Sequence, residues 1–96
     1  MNQITYEERV TVYREAIRRY GVRAQTMMAI EEMSELTKEI CKIRRGKADM
    51  EALADEIADV TIVLEQLRLI YDLNDSVCTH MDMKVRRLAD RLAGDA

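Results

Sequence analysis

Residues 31–59 read EEMSELTKEICKIRRGKADMEALADEIAD, and their reading decides the fold. Two acidic clusters open and close the stretch: Glu31-Glu32-Met33-Ser34-Glu35 and Glu56-Ile57-Ala58-Asp59. Each carries carboxylates at i and i+3, which an α-helix places on one face. Between them, Arg45-Gly46-Lys47 is the one credible helix break. Glu32 and Asp59 are equidistant from that break, and so are Glu35 and Glu56. A helical hairpin folding back near Gly46 brings Glu32 level with Asp59 and Glu35 level with Glu56. Four carboxylates at close range disfavour joint ionisation. A hard divalent cation relieves that repulsion and is bound by it; an all-oxygen donor set selects Mg²⁺, with Mn²⁺ as the alternative, over zinc or copper.

The flanking sequence extends the helical pattern. The chain has 96 residues, no proline and glycines only at 21, 46 and 94, with hydrophobic residues at 48%. This composition predicts a single all-α domain over residues 1–96, punctuated by its glycines. So small a domain buries a modest share of its surface, and self-association is a natural remedy. Thr5 and Glu8 fit a capping box opening a helix over residues 6–20, with Tyr6, Val10, Tyr13, Ile17 and Tyr20 as its apolar seam and Gly21 as its stop. The tyrosines read as core or interface residues before they read as a base-stacking platform. A second helix is expected over residues 23–45, with Ile30, Met33, Leu36, Ile40 and Ile43 as its seam. Glu32 and Glu35 flank that seam, Glu39 lies close to the same stripe, and Glu31 points further round.

Asp49 is a suitable N-cap for a third helix over residues 50–71. One seam runs through Leu53, Ile57, Val60, Leu64, Leu67 and Tyr71, and a second line through Ala58, Ile62, Leu69 and Leu73. A helix apolar on two sides predicts packing against a second subunit. A fourth helix is expected over residues 75–92, capped by Asn74 or Asp75, with Val77, Met81, Val85, Leu88 and Leu92 as its stripe. Gly94 ends it, before a short tail of Asp95 and Ala96. Its second half is basic. Lys84, Arg87 and Arg91 share one face, where they could hold phosphates, while Arg86 adds to the charge. Arg44, Arg45 and Lys47 at the turn read as surface residues, and His80 as a surface or packing residue.

Net charge is −3, from 15 basic and 18 acidic side chains, which argues against a nucleic-acid polymer as partner. It does not argue against a nucleotide held through metal. Cys41 and Cys78 lack neighbours at zinc-ligand spacing and read as free thiols of a cytoplasmic protein. The sequence presents neither a signal peptide nor a membrane-spanning run.

The pattern Glu31-Glu32-x-x-Glu35, a gap of 20 residues, then Glu56-x-x-Asp59 resembles the EExxE…ExxD signature of MazG-like nucleoside triphosphate pyrophosphohydrolases. The contexts Ala29-Ile30-Glu31-Glu32-Met33-Ser34-Glu35-Leu36 and Leu53-Ala54-Asp55-Glu56-Ile57-Ala58-Asp59-Val60 are similar too, and the resemblance covers roughly residues 20–92. It implies an all-α, four-helix hairpin bundle completed by oligomerisation, at least a homodimer and often a homotetramer built as a dimer of dimers. It implies hydrolysis between the α and β phosphates of a nucleoside triphosphate, giving the monophosphate and pyrophosphate. Glu32, Glu35, Glu56 and Asp59 would hold Mg²⁺, and Lys84 and Arg91, placed where the family often has basic residues, would meet the phosphates. Arg87 joins them by its place on the same helix face, and Glu31 or a ring carboxylate is expected to accept a proton from the attacking water. The sequence departs from the family at Leu88, where asparagine is frequent, and it has no Trp or Phe for base stacking. Phosphoribosyl-ATP, dUTP and dCTP are alternative substrates, and a non-enzymatic helical oligomerisation module is the alternative outside enzymes.

Overall fold

A computed structural model describes residues 2–95; Ala96 of the expected tail lies outside them. The chain forms α1 (Tyr6–Tyr20), α2 (Val22–Arg44), α3 (Met50–Ile70) and α4 (Asn74–Gly94), with no strand among the described residues. The fold is therefore all-α. No helix is long and apolar enough to cross a membrane.

The helix ends follow from local chemistry. Thr5 and Glu8 form the expected capping box: the Glu8 N–H donates to Thr5 Oγ1 and the Thr5 N–H to Glu8 Oε1, both at 3.1 Å. Gly21 stops α1 at φ 91° and is also the residue from which α2 starts, so one glycine alone separates the two helices. At the other end of α2, Gly46 takes φ 75°. Its N–H donates to the Ile43 carbonyl (3.0 Å) while the Lys47 N–H reaches back to Lys42 (2.8 Å), a Schellman closure. Asp49 caps α3 by accepting from the Ala52 N–H at 3.0 Å.

Helix α3 ends within one residue of the expected position, but the turn into α4 departs from expectation. Asp72, with no glycine to help, adopts φ 53° and lets the Leu73 N–H close on the Arg68 carbonyl at 2.8 Å. That closure makes Leu73 the residue preceding α4, so neither Asn74 nor Asp75 caps it. Asn74 instead turns its Oδ1 to accept from Arg68 Nε at 2.9 Å. Helix α4 also runs through Gly94 rather than ending before it.

The antiparallel α2–α3 hairpin is the centre of the molecule; α1 lies against both of its helices and α4 against α3 alone. The residues turned inward match the expected apolar seams only in part: Leu36 and Ile43 of α2, Val60 and Leu67 of α3 and Tyr13 of α1 are covered as expected. On α2, Gln25, Ala29, Glu32, Leu36, Glu39 and Ile43 form the covered row, whereas Ile30, Met33 and Ile40 are exposed. On α3, Val60 and Val63 are buried with Gln66, while Ile57, Leu64 and Tyr71 lie outside. On α1, Tyr13 is buried but Tyr6 and Tyr20 are not, and α4 buries no residue at all. Successive residues step by 100°, so a row one position round from the apolar seam can face the partner helix. On α2 that row contains one glutamine and two glutamates, and Gln66 meets it from α3. The displaced apolar side chains of α2 and α3 line one flank of the hairpin.

Helix α1 is pinned to α3 by a polar clamp. Arg9 donates to both oxygens of Glu65, at 3.2 and 3.1 Å, and the Tyr13 hydroxyl donates to Glu65 Oε1 at 2.6 Å. Burial pushes the Glu65 carboxyl up, but the hydrogen bonds from Arg9 and Tyr13 outweigh it and leave the group below its ordinary value. A carboxyl depressed by folding contributes stability that is fully present above its unfolded pKa and is lost as pH falls through the folded one. Acidification below pH ~4 is therefore expected to release α1 from α3. Near-ultraviolet circular dichroism of the tyrosines should follow this step, and Glu65→Gln should remove it.

Candidate metal centre

The hairpin register sets the site. Gln25 Nε2 donates to Gln66 Oε1 at 2.7 Å across the α2–α3 interface. That pair is centred on the same point of the turn as Glu32 and Asp59, seven residues inward on each strand of the hairpin. Seven residues are close to two helical turns, so the two pairs stack along one seam. The symmetry about Gly46 read from the sequence is thus the register the helices adopt.

Glu32 from α2 and Glu56 and Asp59 from α3 converge, with one oxygen of each within 4.8 Å of the others. All three are half-buried. Glu56 Oε2 is shut from solvent and has no hydrogen-bond partner. Loss of water raises the Glu32 carboxyl above its usual range, and the charges of Asp59, Glu56 and Glu35 add to this. Glu56 is raised likewise, first by lost hydration, then by Asp59, Asp55, Glu35 and Glu39. An unpaired buried carboxylate oxygen beside like charges is costly as it stands. The donor set is all oxygen, half-shielded and uncompensated, which fits a hard divalent cation.

Glu35 stands apart from this group of three. Its side chain is about half exposed (53%) and meets Lys38 at 3.6 Å, although its charge still reaches Glu32 and Glu56. Glu39, well covered, is tied to Lys42 at 2.9 Å, and Glu31 is exposed. The expected ring of four is thus three converging carboxylates with a fourth one turn away.

The basic residues of α4 are not gathered here. Lys84, Arg87 and Arg91 are exposed, and no hydrogen bond or ion pair among the described residues joins them to the acidic cluster. Arg86 pairs with Asp82 on its own helix at 3.0 Å. Arg68 ties α4 to α3 through Asn74 Oδ1 and Cys78 Sγ, beyond which Thr61 and Leu64 face Val77 and Met81 across a groove; the helical step places those α3 residues on the flank roughly opposite Asp59. His80 is exposed, as are the free thiols Cys41 and Cys78.

Gln25 and Gln66 are the site residues that reading by residue type passes over. Their signal is positional: each lies two turns from a cluster carboxylate, at the same register centre. No family model matches the chain, and no match was found among curated proteins or solved structures.

Proposed function

We propose that the chain is a Mg²⁺-dependent nucleoside triphosphate pyrophosphohydrolase of the MazG-like kind, cleaving between the α and β phosphates. The observation that carries this reading is the convergence of Glu32, Glu56 and Asp59 across the hairpin, with one buried Glu56 oxygen left without a partner. Glu32, Glu56 and Asp59 hold the metal, and Glu35 completes the set on leaving Lys38. Bound Mg²⁺ supplies charge neutralisation for the phosphates and a water of lowered pKa. Glu31 or a carboxylate of the cluster takes the proton from the attacking water.

Lys84, Arg87 and Arg91 bind phosphate oxygens. Because α4 lies on the other flank of α3, in this reading they reach the site from a neighbouring subunit. The exposed row of Ile30, Met33, Ile40, Ile57 and Leu64 supports at least a homodimer, with a dimer of dimers as the full assembly. The free thiols suit a reducing compartment such as the cytoplasm.

The test is pyrophosphate release from a panel that includes dUTP, dCTP and phosphoribosyl-ATP with Mg²⁺. Release from at least one of them, abolished by Glu56→Ala, is expected; intact nucleotides throughout would falsify the reading. The same apolar row also favours a second reading, a helical oligomerisation module without activity. A Mg²⁺ titration of the melting point separates the two, because a ligand of the native state must raise it.

A further inference from the structure

A groove of about 300 Å³ runs between α1 and α3 on the flank of α3 that carries Asp59. Val12, Tyr13 and Ala16 form one wall, Ile62 the other, and Gln66 contributes from within. Ile62 and Gln66 follow Asp59 by three and seven residues, so the groove begins about one turn from the acidic cluster and reaches about 10 Å along the helix.

The polar chemistry of the groove is unspent. Gln25 and Gln66 are 5% and 7% exposed. Gln66 uses its Oε1 to accept from Gln25, and its amino group makes no hydrogen bond among the described residues. Gln25 Oε1 is buried and also unpartnered. The Tyr13 hydroxyl, by contrast, is committed to Glu65. A buried Gln25 Oε1 without a partner is out of keeping with a purely structural pair, since buried polar groups are normally satisfied.

Gln66 accepts from Gln25 through Oε1, so the half of its amide left to the groove is the amino group, a donor rather than an acceptor. Largely apolar walls with a few placed polar groups, here Gln66 and Arg9, are the usual make-up of a small-molecule subsite.

Resting on the reading of the acidic cluster as the phosphate end, we infer that this groove is the base subsite: it takes a nucleobase between Tyr13 and Ile62 and reads a hydrogen-bond acceptor on the base edge through Gln66 Nε2. Carbonyl-bearing bases, the pyrimidines and guanine, are the class it suits. A base with only an amino group at that point leaves the Gln66 donor unpaired, which is strongly selected against.

The experiment has two arms on the full chain. In the first, UMP and Mg²⁺ are titrated into protein labelled at the Ile, Leu, Val and Met methyls and at the Gln amides. Shifts at Ile62 and at the Gln66 amide are expected; their absence, or shifts confined to Leu64, Val77 and Met81, overturns the assignment. In the second, Ile62→Trp, at a 40% exposed position able to accept the ring without disturbing the core, fills the groove. KM for the best nucleotide is expected to rise about tenfold or more with kcat little changed. An unchanged KM, or a variant altered only in oligomeric size because a second copy fills the groove, overturns it. If no nucleotide is hydrolysed yet UMP still moves Ile62 and Gln66, the subsite stands and the hydrolase reading falls. If hydrolysis proceeds but both arms fail, the reverse holds.

Discussion

Glu56→Gln is expected to raise the melting point of the metal-free chain while abolishing hydrolysis and the response to Mg²⁺. The two effects have one origin. Glu56 places a buried, unpartnered oxygen among the charges of Glu32 and Asp59. Glutamine keeps the shape, removes a like charge and brings a donor that a neighbouring carboxylate can accept. Folding no longer has to desolvate that charge, so stability rises. The metal loses a ligand, and since even groups that merely support a ligand cost about 10- to 100-fold when removed, the loss of turnover should exceed about 100-fold. Thermal melts with and without Mg²⁺, together with the pyrophosphate assay, give both readings on one sample. A melting point that falls without metal contradicts the account of Glu56 as a strained ligand. Activity that survives contradicts its role altogether.

Ala29→Leu should have the largest effect on the fold. Ala29 is 1% exposed, on the covered row of α2 between Gln25 and Glu32. Its small side chain lets α2 and α3 approach closely enough for the 2.7 Å Gln25–Gln66 bond and for Glu32 to join Asp59. Three extra carbons at this position have no space to enter, and overpacking of this kind costs about 1–3 kcal/mol. For a chain of this size that is a drop of roughly 4–8 °C in melting point for each kcal/mol. Because the wedge opens the hairpin at the cluster, the Mg²⁺-dependent rise in melting point should shrink with it. Ala29→Gly, which adds no bulk, should keep the Mg²⁺ response despite the cost of glycine within a helix. Retention of a full Mg²⁺ response in Ala29→Leu rules out close helix approach as the determinant of the cluster.

Much of this arrangement was legible in the sequence because it is one-dimensional. Helix ends are written in local chemistry: Thr5 with Glu8, Gly21, Gly46, Asp49. The register follows from equal spacing about a turn, and the Gln25–Gln66 bond agrees with it. The inward row was legible only in part, since Leu36 and Ile43 belong both to the apolar seam and to the covered row. Choosing apolar residues at helical spacing on α2 selects Ile30, Met33 and Ile40, yet the hairpin turns Gln25, Ala29 and Glu32 inward. Hydropathy alone cannot separate a row buried within the chain from a row left bare on its flank, and α2 carries both. The cap of α4 was missed for a different reason. Asp72 takes a left-handed conformation usually signalled by glycine, so the start of α4 was placed on Asn74 or Asp75. The acidic cluster was found, but the separation of Glu35 was not, because its pairing with Lys38 depends on which way a long side chain swings.

The Gly46 turn has a kinetic consequence. Its two closing bonds, Gly46 to Ile43 and Lys47 to Lys42, involve only near neighbours in sequence. A hairpin growing outward from that point brings Glu56 and Asp59 to Glu32 by closing a short segment, and contacts of low sequence separation form early. The clamp from Arg9 and Tyr13 to Glu65 spans most of the chain and belongs to a later stage. The order of assembly thus runs from the acidic end of the seam to the glutamine end, and only then to α1. A cation held by these carboxylates, as proposed, would be expected to meet them before the groove between α1 and α3 exists.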